Sequence, residues 1–215
     1  MFEQLQRWLN GNSSRSPNQS ASDASVGLLI AAGRSSRFDP SGVNNKLLAP
    51  LDGMPVVCHS AKHLAQAVTN RIAVVRPDAR VLTDWLSGLG FTVVECPDAH
   101  SGMGHSISWG VAEALKHFEC ERIVVTLGDM PFVQPATIAN LIGHSKTTNA
   151  VVAPRYQGKR GNPVVFSSDH FEALSRLTGD RGAAHYMTKV AMQFVDVDDP
   201  GILKDIDTPE DLAQR

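Results

Sequence analysis

Apolar positions along the chain fall into short continuous runs, separated by stretches with helical spacing. Val26-Gly27-Leu28-Leu29-Ile30 shows no polar alternation, which predicts a strand covered on both faces of a parallel sheet. Ile72 to Val75, Phe91 to Val94 and Arg122 to Leu127 predict three more strands. Between them, Val57, Ala61, Leu64, Ala65 and Val68 share a helix face, as do Val81, Leu82, Trp85 and Leu86, with Gly88 and Gly90 ending the second helix. Met103 to Phe118 reads as a third helix. Beyond it come a helix from Pro135 to Gly143, strands at Ala150–Ala153 and Pro163–Phe166, helices at Asp169–Leu177 and Ala183–Val190, and a strand near Gln193–Val197. A short helix opens at Thr208-Pro209-Glu210-Asp211, where a threonine cap, a first-turn proline and two acids agree with a helix start. Strand and helix alternate with short connections, so the expected fold is α/β: a Rossmann-like three-layer α/β/α arrangement around a mostly parallel sheet.

The 215 residues divide into an extension, 1–25, and one domain, 26–215. In the extension, Phe2, Leu5, Trp8 and Leu9 are spaced like a short amphipathic helix, and Asn10 to Ser25 reads as a flexible tail. A hydrophobic content of 42% and a charged content of 20% are ordinary for a globular protein. The net charge of −2 gives no general attraction to nucleic acid, so any phosphate binding must come from locally placed cations. No apolar run is long enough to cross a bilayer, and no signal-peptide core follows Met1. Cys58, Cys96 and Cys120 are isolated and lack C-x-x-C spacing, which argues against a disulfide framework or a zinc site. A cytoplasmic protein is the expectation.

Ligands of open α/β sheets bind outside the carboxyl ends of the strands. Three loops stand at such ends here. The first, residues 31–46, follows the Val26–Ile30 run through small residues that admit a ligand close to the backbone, with Gly33 expected at a positive φ. Its free N–H groups, with Arg34, Arg37 and Lys46, suit a polyphosphate. It is not a P-loop, because Asn45 and Leu47 flank Lys46. In the second, residues 97–106, Gly102-Met103-Gly104 lacks the third glycine of the dinucleotide fingerprint. The N–H groups there and Ser106 stand at a helix start suited to an anion or a base edge. In the third, Gly128-Asp129-Met130-Pro131, Asp129 could hold a hard cation against phosphate oxygens, or simply cap a turn. Asp205 and Asp207 flank Ile206 and share one face of an extended segment, where one could complete a metal site with Asp129 or cap the helix near Thr208. His59 and His63 are spaced i, i+4 but have no third ligand, so an exposed helix face is expected. His100 and His105 flank the Gly102 loop. Gly158-Lys159-Arg160-Gly161 reads as a basic hairpin loop, available as an anion contact for an acceptor.

Taken together, these motifs resemble the molybdenum-cofactor nucleotidyltransferases of the MobA-like NTP transferase family. The matching stretches are Leu29 to Arg37, Lys46-Leu47-Leu48-Ala49-Pro50-Leu51, Gly102-Met103 with Ser106, Leu127 to Pro131, Gly179 to Ala183, and Asp205 to Asp211. The resemblance covers about residues 26–215 and implies a fold like that of the nucleotide-diphospho-sugar transferases. It implies a Mg2+-dependent attack by a terminal phosphate of molybdopterin on the α-phosphate of CTP, with pyrophosphate leaving, and a molybdoenzyme as a possible client for the product. By position, Arg37, Lys46 and Asp129 would be catalytic and Asp129 and Asp207 would hold the metal. Ala31, Ala32, Gly33, Arg34, Ser35, Lys46, Pro97, Gly102 and Ser106 would bind the nucleotide. Ala31-Ala32-Gly33 looks more like the cytidylyl branch than the guanylyl branch, where Gly-Gly is usual. The loop from Phe38 to Asn45 is longer than usual, and a lid over the triphosphate is expected of it. Asn162 replaces a frequent histidine in Gly161-Asn162-Pro163, and Ala184 replaces a frequent arginine. Both departures fall in the acceptor half. Rival readings are a guanylyl or sugar-phosphate nucleotidyltransferase, and a non-catalytic carrier or chaperone for a molybdenum enzyme.

Overall fold

The computed structural model describes residues 24–41, 44–180 and 182–213. The expected N-terminal helix, most of the expected tail, the centre of the 38–45 loop and Arg181 lie outside them. The elements in chain order are β1 (Ser25–Ile30), β2 (Pro50–Leu51), β3 (Met54–Pro55), α1 (Val56–Ala67), β4 (Asn70–Val75), α2 (Arg80–Gly88), β5 (Thr92–Glu95), α3 (Met103–His117) and β6 (Arg122–Leu127). There follow α4 (Pro135–Ser145), β7 (Val151–Tyr156), β8 (Lys159–Arg160), β9 (Val164–Ser167), α5 (Phe171–Leu174), α6 (Gly182–Met187) and β10 (Met192–Asp196).

The sheet runs β10-β7-β9-β6-β1-β4-β5, with β8 paired to β7, and β2 with β3 makes a separate hairpin. Along the main path every strand points the same way except β9, which is antiparallel to both β6 and β7. The reversal follows from chain length. The β7–β8 hairpin turns the chain back, and the three residues between β8 and β9 are too few for the crossover of about a dozen that would reverse it again. β7 and β8 form a hairpin whose turn is Gln157-Gly158, both at positive φ. Lys159 and Arg160, expected in the loop, are therefore in its second strand.

Alternation along the buried strands separates two cores. Leu29, Ala73 and Val124 pack with Leu64 of α1, Leu86 of α2 and Leu141 of α4. Leu28, Val74 and Ile123 face the opposite way, toward Val111 of α3, Leu174 of α5 and Met187 of α6. This is the three-layer arrangement the sequence predicts. Two glycines set its tightness around β1: a Cβ on Gly27 would stand 2.6 Å from Val68, and one on Gly110 2.5 Å from Leu28. Neither neighbour can yield that much in a close-packed core.

Some elements are shorter than expected. The segment from Asp169 to Leu177 is a 3-10 turn, Ser168–His170, followed by one α-helical turn, and Pro209–Ala213 is 3-10 rather than α. In that last turn Asp211 reaches back, its Oδ2 accepting from the Asp207 and Thr208 N–H groups. His59 and His63 are half-buried, not exposed, and the His59 ring meets the Leu51 carbonyl at 2.8 Å. A buried carboxylate, Asp199, escaped the sequence reading altogether. It accepts from the Gln134 and Gly201 N–H groups at 2.9 Å and from the Thr137 hydroxyl at 2.7 Å, and so fixes the start of α4. Among the described residues, no helix is long and apolar enough to cross a membrane.

Candidate active site

Parallel pairing of β1 with β4 and β6 brings three strand ends to one edge. The Ala31 N–H donates to the Val74 carbonyl, Gly128 N–H to Ile30, and Cys96 N–H to Val75, each at 2.9 Å. The loops that follow therefore start side by side. A fourth segment joins them because the Ile206 N–H donates to the Asp129 carbonyl at 2.8 Å. That one bond carries Asp205 and Asp207 to Asp129 across a long sequence separation.

Lys46 reaches the same point through a buckle in the first loop. Ser35 is buried at φ 57, and its hydroxyl donates to Asn45 Oδ1 at 3.0 Å while accepting the Lys46 N–H at 3.1 Å. Asn45 Oδ1 also caps the 3-10 turn Lys46–Leu48 through the Leu47 N–H. Positive φ thus falls on Ser35, not on Gly33 as expected. It works there because the serine hydroxyl is bonded on both sides. Ser35 holds the loop closed rather than lining the cavity beside it.

The Lys46 ammonium then lies 2.6 Å from Asp129 Oδ2 and 2.7 Å from Asp207 Oδ1, and Arg37 Nη1 lies 2.6 Å from Asp207 Oδ2. Burial by itself would lower the Lys46 pKa, but its pairing with Asp129 and Asp207 outweighs that and raises it. Asp205 is pushed upward by lost hydration first and then by the charges of Asp207 and Asp129. Asp129, Asp205 and Asp207 each offer one carboxylate oxygen within 4.8 Å of the others, and among the described residues they are the one such group of metal-ligating side chains. Asp129 Oδ1 is buried without a hydrogen-bond partner. Three carboxylates face two cations, and the orphan oxygen is of the kind that hard divalent cations bind. The donor set fits such an ion.

Beside this cluster opens a cavity of about 390 Å³. One wall is Ala32, Gly33, Arg34, Ser36 and Arg37; the other includes Ala99, His100, Gly102, Met103 and Ser106. The guanidinium of Arg34 crosses to the His100 carbonyl at 3.1 Å. A Cβ on Gly33 would meet nothing within 4 Å, so the backbone there is open to a ligand. Ala31 sits behind Ala32, pointing into the opposite core. Pro97 is exposed and is not part of the lining. Gly102 lines the cavity, and Gly102 and Gly104 also make room for a neighbouring loop. The Gly104 N–H donates to the Gly179 carbonyl at 2.8 Å, and the Gly179 N–H donates to His105 Nδ1 at 3.2 Å. A Cβ on Gly102 would stand 2.5 Å from Asp180 Oδ1. These glycines let the 178–180 loop lie on the start of α3, which brings Asp180 into the cavity wall.

The long loop after Arg37 is tied rather than open in its described part. Asp39 accepts from the Ser41 hydroxyl and N–H and from the Asn44 N–H and side-chain amide. Phe38 packs beside Ala49, Leu51, Val56 and Ile206. The Ser41 hydroxyl and the Asn44 N–H are the leading causes that lower the Asp39 pKa to about 2.

The model of the MobA-like NTP transferase domain matches residues 27–194. The chain belongs to that family. It is 29% identical over 203 residues to the purine catabolism protein PucB of Bacillus subtilis, covering 88% of this chain and 96% of that one. It is 25% identical over 193 residues to a molybdenum cofactor guanylyltransferase of Shewanella frigidimarina, covering 87% and 93%. Among solved structures it is similar to Rv0371c of Mycobacterium tuberculosis in a complex with manganese, with a TM-score of 0.69, 28% identity and coverage of 89% and 97%. The chain is a nucleotidyltransferase of the MobA-like family.

Proposed function

We propose that the chain transfers the cytidylyl group of CTP to the terminal phosphate of molybdopterin and releases pyrophosphate. The observation that carries this reading is the junction of two features. Lys46 is locked between Asp129 and Asp207, and the open backbone of Ala32 and Gly33 lies beside it with Arg34 and Arg37. Lys46 and Arg37 present fixed positive charge to the triphosphate, and Arg34 holds the far wall of the cavity. Preorganised cations of this kind stabilise charge that builds on the transferred and leaving phosphates, without reorganising during the reaction. Asp129 and Asp207, with Asp205 beside them, would hold Mg2+, which when bound supplies further positive charge to phosphate oxygens. No covalent protein intermediate is required.

The choice of CTP rests on Ala31-Ala32-Gly33, which resembles a cytidylyl rather than a guanylyl ending, where Gly-Gly is usual; of the two alanines, Ala32 lines the cavity. A second reading, guanylyl transfer from GTP, is favoured by the name of the Shewanella relative. In either case residues 26–215 act as one unit in the cytoplasm, and the dinucleotide product passes to a molybdoenzyme.

The test is pyrophosphate release by the full chain with molybdopterin, Mg2+ and each NTP in turn, with Asp129→Ala as control. Release with CTP and none in the control is expected. Release with GTP alone overturns the base assignment, and binding of CTP without turnover returns the chain to the carrier reading.

A further inference from the structure

A second cavity, of about 170 Å³, lies between the sheet and α6 and shares Met103 and Asp180 with the nucleotide cavity. We propose that it takes a flat amino-substituted heterocycle, the ring system of the acceptor, with Asp180 accepting hydrogen bonds from the ring's N–H edge. The inference rests on the pterin acceptor proposed above and names the part of the site that would read it.

The cavity's shape and chemistry carry the argument. Its floor includes Val164 and Phe166 of β9, and its far wall includes Ile107 of α3 and Met187 of α6, all buried and apolar. Ala183 and Ala184 on α6 are small and leave the slot open. The volume is below the usual range for a whole ligand, about 300–1,000 Å³, but is enough for a ring system whose remaining atoms extend into the adjoining cavity. Its polar groups include Arg160, Asn162 and Asp180. Arg160 Nη1 stands 3.2 Å from the Met187 sulfur, a weak acceptor that a ligand carbonyl oxygen would outcompete.

Asp180 has the wrong sign for its surroundings. Among the described residues it is the one acid in the lining of a cavity that presents Arg34 and Arg37 to a polyanion. Unlike Asp129, Asp205 and Asp207, it belongs to no group of metal-ligating side chains among the described residues, so without a cation to bridge it to phosphate it faces another part of a ligand. It is acceptor-only when ionised, so the groups it selects are ring N–H and amino donors. It is held in place by the packing of residues 178–180 on Gly102 and Gly104. A 2-amino-4-oxo pteridine offers two adjacent donors to one carboxylate and a carbonyl to the Arg160 side of the slot.

The test uses the full chain and two free rings, pterin and lumazine, the latter carrying oxygen in place of the 2-amino group. Fluorescence titration is expected to show pterin binding at least about tenfold tighter than lumazine, because the analogue sets an oxygen against the carboxylate. Asp180→Asn should collapse that ratio to within about threefold, and Ala184→Phe should weaken both rings by filling the slot. Equal binding of the two rings by the unsubstituted chain, no detectable binding of either, or an unchanged ratio in Asp180→Asn overturns the proposal. So does a change in CTP-against-UTP preference in Asp180→Asn with the pterin ratio intact, which would turn the carboxylate toward the base. The pyrophosphate assay separates the two readings. If molybdopterin supports turnover and its KM is unmoved by Asp180→Asn and Ala184→Phe, the ring site fails and the reaction stands. If molybdopterin supports no turnover, the reaction fails, while the ring titration still decides the cavity.

Discussion

Replacing Lys46 by glutamine removes the charge on which two carboxylates converge. The ammonium lies 2.6 Å from Asp129 and 2.7 Å from Asp207, and its side chain is only 11% exposed. Breaking one side of a fully buried pair costs about 3–5 kcal/mol, because the remaining charge is left uncompensated. Here Asp129 and Asp207 keep 20% and 18% exposure and Arg37 still pairs with Asp207, so a loss of about 2 kcal/mol is expected. For a chain of this size that is about 4–8 °C in Tm. The effect on activity should be larger. A preorganised donor aimed at developing charge contributes about 10²–10³ in rate, and kcat/KM in the pyrophosphate assay should fall by about that factor. The variant also leaves three carboxylates with one cation, so Mg2+ or Mn2+ should raise its Tm by more than it raises that of the unsubstituted chain. This compensation separates a charge effect from a general loss of packing. If kcat/KM stays within about threefold and divalent cations stabilise neither protein, the site does not lie at the Lys46 cluster.

Other substitutions test the fold that carries the site. Asp199→Ala strips three donors of a buried acceptor at the start of α4, so the denaturation midpoint should report a loss of about 3–4 kcal/mol, and a loss below about 1 kcal/mol would deny the role. Gly110→Val should cost about 1–3 kcal/mol because its side chain would meet Leu28 and Val74, whereas Gly143→Ala, with open space around its Cβ, should gain about 0.5–1 kcal/mol. The Asp39 carboxyl, lowered from 3.8 to about 2, supports its loop above its ordinary value and loses that support as pH falls toward 2. A carboxyl NMR titration should find its midpoint near 2, and a midpoint near 4 would mean that the Ser41 and Asn44 bonds are absent in solution.

Much of the architecture is written in local pattern. Continuous apolar runs at Val26–Ile30, Ile72–Val75 and Arg122–Leu127 can be satisfied only by cover on both faces, and that alone calls for helices above and below a parallel sheet. The same pattern puts loops 31–46 and 128–131 at neighbouring strand ends, so Arg37, Lys46 and Asp129 were legible as partners before their distances were known. Asp207 was legible only as one of two alternating acids.

Other features depend on contacts between distant parts of the chain, which local periodicity does not encode. The reversed direction of β9 comes from the short link after the β7–β8 hairpin. The gathering of Asp205 and Asp207 at Asp129 depends on one backbone bond from Ile206, and the placing of Lys46 on the hydroxyl of a serine at positive φ eleven residues away. Gly102 and Gly104 read in sequence as anion-binding backbone. Only the tertiary structure shows the Gly104 N–H, and the Cα surfaces of both, given to the 178–180 loop, and with it the carboxylate of Asp180 set between two cavities. Strand and helix types follow from which residues must leave water. The chemistry of the site follows from which side chains the folded backbone brings within a few ångströms, and that is decided by long-range packing.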